Sequence, residues 1–267
     1  MSAKSGLQTR IATAVPLGLG FLAALYWAPP LLWIGLIGLV SILAASEWAA
    51  MAGLGKKAGL FYGLLIVSAS TTLTLVAPSL AAPFYPALLF WLLAPALLAR
   101  AVAIRPAPLH LALGAIVLIP THLGMVALRD LNPELVLIVV GVVVVADTAA
   151  YFSGRRFGKH KLAPSISPGK TWEGAIGAWL AITLYALLLF HFAGGGVKLP
   201  CLAQTLSLFW ALFGLSVLGD LFESTLKRQA GIKDSGNLLP GHGGILDRID
   251  SLTAVLPAAT IFWVFYQ

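Results

Sequence analysis

The chain has 267 residues, of which 59% are hydrophobic and 10% are charged, with a mean hydropathy of +0.93 and a formal net charge of +7. This composition excludes an ordinary soluble globular domain, in which about a quarter of the residues are charged. The single cysteine, Cys201, excludes an intrachain disulfide and any metal site built from several cysteines. We therefore expect an all-α integral membrane protein whose positive charge reflects its orientation and its contact with anionic membrane lipids, with no nucleic-acid partner.

Nine apolar stretches are long enough, or nearly so, to cross a membrane as helices, which takes about 20 residues because backbone polar groups cannot stay unpaired in lipid. They predict a polytopic bundle of about nine transmembrane helices in a single membrane domain, 1–267. The first stretch has a basic flank but no convincing cleavage site, so we expect it to be retained. In chain order the stretches are 11–28, 31–52, 58–77, 84–104, 109–128, 134–153, 173–193, 202–221 and 250–266.

The positions of lysine and arginine test this helix count, because loops rich in these residues stay on the cytoplasmic side. With nine helices and a cytoplasmic N-terminus, all of the 17 basic residues except Arg129 and Lys198 fall on that side. Removing one middle helix from the count would move every later loop across the membrane. The charge pattern therefore favours nine spans with the N-terminus in the cytoplasm.

Polar side chains are scarce in the first apolar stretches, so 1–140 is predicted to consist mainly of scaffold helices and 141–267 to carry the chemistry. Asp147 lies inside the sixth stretch, and a carboxylate at membrane depth is by default a functional hypothesis. Pairing with a basic residue of a neighbouring helix is the structural alternative. Glu47, near the end of the second stretch, has a weaker context, and we assign it a structural role.

The segment SPGKTWEG, residues 167–174, directly precedes the seventh stretch. Its Gly169, Lys170 and Thr171 resemble part of a P-loop, but the first glycine of that motif would fall at Pro164 and no strand is predicted before it. A Walker A site is therefore excluded. What remains is a lysine on a glycine turn ahead of a helix N-terminus, which is a position suited to phosphate.

The segment VLGDLFESTLKRQAG, residues 217–231, lies at the cytoplasmic end of the eighth stretch. If the helix continues past the membrane surface, Asp220, Ser224 and Lys227 fall at i, i+4 and i+7 and share one face. The alternative is an interfacial helix end with an ion pair between Glu223 and Lys227. The spacing alone leaves both interpretations open.

The segment GHGGILDRID, residues 241–250, leads into the last stretch. Its glycines let backbone N–H groups approach an anion closely. Asp247 and Asp250 share one face at the start of the helix, with Arg248 between them, and two such carboxylates are costly unless they are solvated, paired or bound to a metal. A glycine turn followed by an acidic helix cap explains one of the two aspartates well and the second less well.

Together these segments predict a site for a phosphate-rich substrate and a divalent metal at the cytoplasmic membrane edge. Carboxylates favour hard cations such as Mg²⁺, which often bridges one or two carboxylates to substrate phosphates. Lysine and arginine would bind the remaining phosphate charge. A lipid phosphate and a soluble nucleotide could meet at such a place.

Residues 224–250 resemble the signature of the phosphatidate cytidylyltransferases, also called CDP-diacylglycerol synthases. The resemblance extends upstream through Asp220 and the segment 146–174, and it covers most of 145–257, whereas the first 140 residues are similar only in hydropathy. The positions that carry the signature are Ser224, Lys227, Arg228, Lys233, Asp234, His242, Gly243, Gly244, Asp247, Arg248 and Asp250.

This resemblance implies a nucleotidyltransferase of phospholipid biosynthesis that transfers a cytidylyl group from CTP to phosphatidate and forms CDP-diacylglycerol and pyrophosphate. It implies Mg²⁺ dependence, a homodimer and a bacterial inner-membrane location. We expect one or two divalent ions, with a monovalent cation as a further candidate, and the charge pattern places the active site on the cytoplasmic face. Two alternatives remain. One is a CTP-dependent enzyme acting on another lipid phosphate, and the other is a membrane transporter, which the one-sided clustering of ionisable groups disfavours.

Roles within 141–267, the catalytic half, are expected from the resemblance for the metal-binding pair and from the chemistry of the residues for the others. Asp220 and Asp247 are the implied metal-binding pair, with Asp147 as a third candidate ligand, and Asp220, Lys227 and Asp247 are expected to be catalytic. The residues expected to bind substrate phosphate are Lys170, Ser224, Lys227, Arg228, His242, Gly243 and Gly244. The residues expected to support these from outside are Lys233, Asp234, Arg248 and Asp250.

Overall fold

The structure, a computed structural model, describes residues 3–76, 81–104, 106–192, 197, 199–238 and 243–266. Within these ranges the chain forms nine helices and one short β-hairpin, and each helix coincides with one of the predicted apolar stretches. The helical bundle is thereby confirmed. The helices are α1 (Ala3–Trp27), α2 (Pro30–Met51), α3 (Lys56–Val76), α4 (Phe84–Ala99), α5 (Ala107–Leu131), α6 (Pro133–Phe157), α7 (Trp172–Phe192), α8 (Leu202–Gln229) and α9 (Leu246–Tyr266).

Among the elements of the described ranges, the β-hairpin between α6 and α7 is the one that an all-α fold does not include. Strand β1 (Lys161–Ala163) pairs antiparallel with β2 (Ser167–Thr171), with Lys161 opposite Thr171 and Ala163 opposite Ser167. Strands this short contain too few residues to show an alternating pattern in sequence. The prediction of an all-α fold is therefore incomplete at the segment that carries Lys170.

Local sequence explains where several helices begin. Proline occupies one of the first positions of α2, α5 and α6, where its missing N–H would have had no helical partner. Asn132 caps α6 because its side chain accepts a hydrogen bond from the backbone N–H of Glu134 at 2.8 Å. Thr171 does the same for α7, since its Oγ1 accepts from the N–H of Gly174 at 3.1 Å. The threonine of the SPGKTWEG segment therefore starts a helix.

Helix α9 lies at the centre of the bundle and packs against α2, α4, α5, α6 and α8. Its residues 251–257 are all buried. It approaches α8 closely at Gly219, where an added Cβ would lie 2.7 Å from the carbonyl oxygen of Asp250. Small residues allow such close helix contacts in membrane proteins. This contact brings the acidic start of α9 beside Asp220.

The connections between helices gather at two opposite ends of the bundle. At one end, Arg129 near the end of α5 donates from Nε to the carbonyl of Leu25 in α1 at 3.0 Å, and from Nη2 to that of Ala28. At the other end, the Gln229 side chain of α8 accepts from the N–H of Ile104, in the α4–α5 connection, at 3.0 Å.

Six helices of the described chain, α2, α3, α5, α6, α7 and α8, are long and apolar enough to cross a membrane. Helix α4 and the apolar part of α1, Val15–Trp27, are shorter. Many large apolar side chains on the outside of the bundle are exposed, including Leu31, Leu92 and Phe192. Such a surface suits a lipid environment, and the coarse prediction of a helical membrane protein is confirmed.

Candidate active site

The polar residues at the end of α8 divide between two neighbouring groups. Ser224 donates from Oγ to Oδ1 of Asp220 at 3.2 Å, so these two residues share a face as their spacing predicts. Lys227 instead donates to Oε2 of Glu223 at 2.8 Å and to Oδ1 of Asp247 at 2.7 Å. Both interpretations of this segment are therefore partly right, because the predicted line of side chains and the Glu223–Lys227 ion pair coexist.

The first group, centred on Lys227, is almost closed to solvent. The side chains of Lys227, Asp247 and Glu223 are 11%, 7% and 3% exposed. One ammonium group thus stands between two carboxylates from different helices. Removing one partner from such a buried arrangement would leave a charge uncompensated, which is costly.

Asp247 is further held by the loop that joins α8 to α9. Its Oδ2 accepts from the backbone N–H of Ser235 at 2.9 Å and from that of Gly244 at 2.8 Å. Partial burial alone would raise the pKa of Asp247, but the hydrogen bonds from Lys227, Gly244 and Ser235 hold the pKa of this carboxyl below its ordinary value. Asp247 is therefore ionised at neutral pH, and the backbone of Gly244 binds a protein carboxylate.

The glycine turn itself is described only in part. Gly243 has a φ of +82°, a backbone conformation in which glycine is favoured. His242, which the sequence places among the phosphate-binding residues, lies outside the described residues. Its role remains a prediction.

The second group is centred on Lys170, which the hairpin carries to α8. Its Nζ lies 2.6 Å from Oδ2 of Asp220, and the two side chains are 24% and 27% exposed. With Ser224 on Oδ1, the Asp220 carboxylate has two donors among the described residues, fewer than the three that Asp247 has among them. Because a carboxylate offers about four lone-pair sites, Asp220 keeps more capacity for a further ligand.

Two more aspartates join the second group from α6 and α9. Asp147 lies close enough to Asp220 for their charges to interact. It also interacts electrostatically with Lys170 and Arg248. Asp250 interacts electrostatically with Asp220 and Asp147. Three carboxyl groups thus converge near the basic side chains of Lys170 and Arg248. Crowding carboxyl groups in this way favours either a bound proton or an additional cation.

A cavity of about 340 Å³ opens beside the Lys170–Asp220 pair. Asp147, Lys170 and Asp220 form its polar part, and the rest of its wall is largely apolar, with Tyr151 and Phe213 among the lining residues. The cavity therefore combines a charged end with apolar walls. That is the combination that a phosphate attached to a lipid tail requires.

The remaining predicted residues lie at the margin of these groups. Arg228 is exposed and donates to the backbone carbonyls of Ile166 at 3.4 Å and Ile232 at 3.1 Å, so it links the end of α8 to the hairpin. Lys233 and Asp234 are exposed on the loop, and neither forms an ion pair with another residue in the described part of the chain.

Glu47 and Glu223 contribute more than their sequence context indicates. Glu47 of α2 has the structural role that we assign it. Its carboxylate binds the α8–α9 loop by accepting hydrogen bonds from the Ser235 hydroxyl and from the backbone N–H groups of Ile245 and Leu246. Glu223 is a buried partner of Lys227. Its spacing of four residues from Lys227 is a signal available in the sequence, whereas no local pattern connects Glu47 to a loop nearly 200 residues away.

The donor set fits a magnesium ion that also binds the substrate. Among the described residues, no three histidine, cysteine, aspartate or glutamate side chains are grouped as a ready-made metal site. Mg²⁺ is, however, usually held by one or two carboxylates together with substrate phosphates. Asp220 and its neighbour Asp147 supply carboxylates of this kind, whereas Asp247, with three donors among the described residues, has less capacity left for a metal.

Known proteins resemble this chain over most of its length. The model of the cytidylyltransferase family matches residues 8–266. The phosphatidate cytidylyltransferase of Pseudomonas aeruginosa is 42% identical over 243 residues, which are 85% of this chain and 86% of that protein. The phosphatidate cytidylyltransferase of Haemophilus influenzae is 50% identical over 132 residues, 49% of this chain and 46% of its own length. That of Brucella suis is 51% identical over 126 residues, which are 46% and 43% of the two chains. The chain belongs to the cytidylyltransferase family.

Proposed function

We propose that this protein transfers the cytidylyl group of CTP to phosphatidate, forming CDP-diacylglycerol and pyrophosphate. The observation that carries the proposal is the Lys170–Asp220 pair at the charged end of a cavity with apolar walls. A lysine and several carboxylates at this place suit a phosphate and its metal, and the walls suit an acyl chain. The names of the relatives in Pseudomonas aeruginosa, Haemophilus influenzae and Brucella suis point to the same reaction.

The proposed reaction does not require the protein to remove a proton from the attacking group. A phosphate monoester has its second pKa near 6, so phosphatidate is largely dianionic at neutral pH and needs no general base. A phosphatidate oxygen forms a bond to the α-phosphorus of CTP, and the bond from that phosphorus to the oxygen bridging to the β-phosphate breaks. Pyrophosphate leaves with the electron pair. The main tasks of the site are to bring two polyanions together and to stabilise the departing charge.

Residues of both groups perform these tasks in the proposal. Lys170 leaves Asp220 and binds a substrate phosphate, which frees one oxygen of Asp220 for a cation. Asp220 and Asp247 would hold one or two Mg²⁺ ions, with Asp147 as a third ligand, and a monovalent cation would share the excess of carboxylates. When bound, Mg²⁺ would neutralise part of the charge on the nucleotide phosphates.

The other predicted residues act around this centre. Ser224 holds Asp220 in place, and Lys227 with Glu223 fixes the orientation of Asp247. Arg228, which is exposed, would bind phosphate at the open side of the site, and His242 and the backbone of Gly243 are expected to assist. Gly244 is not assigned this role, because its N–H donates to Asp247. Arg248 and Asp250 tune the charge around Asp147 and Asp220.

The proposal includes a membrane arrangement. All nine helices span the bacterial inner membrane, the N-terminus lies in the cytoplasm, and the active site faces the cytoplasm, where CTP is available. The distribution of lysine and arginine supports this orientation. A homodimer is expected from the family resemblance alone.

The test is a substrate panel with the purified protein in detergent. We expect labelled CTP and phosphatidate, with Mg²⁺, to give CDP-diacylglycerol and an equal amount of pyrophosphate, and ATP or UTP to give far less product. If the cytidylyl group is transferred to a polyprenyl phosphate or an ether-lipid phosphate in preference to phosphatidate, that lipid phosphate is the substrate. Absence of cytidylyl transfer to every lipid phosphate in the panel would contradict the proposed function.

A further inference from the structure

Glu47, on the second helix, is bonded to the start of the last helix. Its Oε2 accepts from the backbone N–H of Leu246 at 2.8 Å, and its Oε1 accepts from that of Ile245 at 3.0 Å. Leu246 is the first residue of α9, and the first N–H groups of a helix have no partner within it. Glu47 therefore caps α9 from a different helix, and its negative charge suits the positive end of the helix dipole.

The same carboxylate reaches the loop residue that holds Asp247. Ser235 donates from Oγ to Oε2 of Glu47 at 2.9 Å, while its backbone N–H donates to Oδ2 of Asp247 at 2.9 Å. Ser235 Oγ also accepts from the N–H of Asp247 at 3.3 Å. Glu47 and Asp247 thus lie on either side of Ser235. A displacement of Glu47 would therefore shift Ser235, and with it the hydrogen bonds that hold Asp247.

The loop backbone is shaped around these two carboxylates. A Cβ added at Gly244 would overlap the Glu47 carboxylate and Ser235 Oγ, and one added at Gly236 would also overlap the Glu47 carboxylate. The backbone therefore passes Glu47 at a distance that only glycine permits. Loop position and carboxylate position are fixed together.

Backbone and hydroxyl donors, rather than a basic residue, compensate the Glu47 charge. Glu47 is in none of the ion pairs found among the described residues, and its side chain is only partly exposed. A carboxylate held in this way loses its partners if the loop moves. The contact therefore favours one loop conformation, the one in which Asp247 meets Lys227.

We propose that Glu47 is a positioning residue that holds Asp247, and through it Lys227, in the orientation that the reaction needs. This inference rests on the proposed function. It assigns part of the active-site machinery to α2, in the half of the chain that sequence reasoning treats as scaffold. Glu47 itself lies behind the loop and acts only through Ser235 and the start of α9.

The first test is Glu47→Gln, which keeps the size of the side chain but turns an NH₂ group towards at least one of its N–H and O–H donors. We expect kcat to fall roughly 10–100-fold, the range seen when a residue that orients a ligand is changed, with little change in the KM for CTP. The backbone amides of Ser235, Gly244, Ile245 and Leu246 should exchange with deuterium faster than in the wild type. The matched control is Glu134→Gln, an exposed glutamate at the opposite end of the bundle.

Each combination of results decides the inference. Faster exchange at the loop together with a lower kcat supports it, provided that Glu134→Gln changes neither. Faster amide exchange with an unchanged kcat would show that the contact is purely structural. A lower kcat with unchanged amide exchange would show that Glu47 acts by another route. Either result overturns the inference. If the wild type itself transfers no cytidylyl group, the proposed function fails, and that result is separate from the exchange data.

A second variant, Ser235→Ala, tests the inference independently in case Glu47→Gln does not fold. Ser235→Ala removes the hydroxyl that lies between Glu47 and Asp247 and leaves the backbone N–H bonds to both carboxylates in place. We expect a smaller fall in kcat, by severalfold, and faster amide exchange at Asp247. Wild-type values for both quantities would contradict the inference.

Discussion

Asp220 and Asp247 are similar in the sequence pattern but differ in the structure. Asp247 has three protein donors on its carboxylate and a side chain that is 7% exposed. Asp220 has two donors and is 27% exposed, beside a cavity. Freeing Asp247 would leave buried donors unpaired, whereas breaking the Lys170–Asp220 pair costs about 1 kcal/mol or less. Asp247 is therefore fixed before substrate arrives, and Asp220 is able to exchange its partner.

The two lysines show the same difference. Lys227 is enclosed between Glu223 and Asp247, and Lys170 is carried by a hairpin with an exposed surface. A site for two polyanions benefits from both arrangements. In the proposed function, one group holds the geometry of the loop, and the other changes partner when phosphate binds.

The largest effect on stability is expected for Lys227→Met. This change leaves Glu223 and Asp247 facing each other in a nearly closed site, and breaking a buried pair in this way costs roughly 3–5 kcal/mol. Chemical denaturation in detergent micelles measures the loss in free energy of unfolding. Adding Glu223→Gln to the variant should restore part of it, because one of the two uncompensated charges is then removed. A decrease in the free energy of unfolding of less than about 1 kcal/mol would contradict the claim that Lys227 is held more firmly than Lys170.

A much smaller effect on stability is expected for Lys170→Met. The pair that it breaks is about a quarter exposed, so the free energy of unfolding should change by less than about 1 kcal/mol. Its kcat/KM for CTP and phosphatidate should nevertheless fall roughly 10–100-fold, the equivalent of one hydrogen bond to a charged group. Steady-state kinetics on the same preparation measure this. Wild-type kcat/KM would show that Lys170 pairs with Asp220 only for structural reasons.

Sequence reasoning performs well where the physical cause is local. Hydropathy locates all nine helices, and the spacing of Asp220 and Ser224 correctly places them on one face. The eighth helix continues to Gln229, past the predicted end at residue 221, because the polar residues beyond the apolar stretch pack within the bundle. Hydropathy cannot detect such an extension.

Long-range contacts account for what sequence reasoning misses. The Lys170–Asp220 pair depends on a short hairpin that docks against α6 and α7, and no periodicity indicates it. Glu47 reaches Ser235 across 188 residues. The family signature predicts functional roles for Asp220 and Asp247, but the number of donors on each carboxylate becomes visible only when the helices are packed.

The most direct test of the account compares CDP-diacylglycerol formation by the wild type, Asp220→Asn and Asp130→Asn, purified in the same detergent. Asp130 is an exposed aspartate at the opposite end of the bundle and serves as the matched control. We expect Asp130→Asn to match the wild type and the turnover of Asp220→Asn to fall roughly 100–1000-fold, the effect of removing one group that stabilises developing charge. Near wild-type turnover of Asp220→Asn would contradict the assignment of Asp220 as the exchangeable carboxylate of the active site.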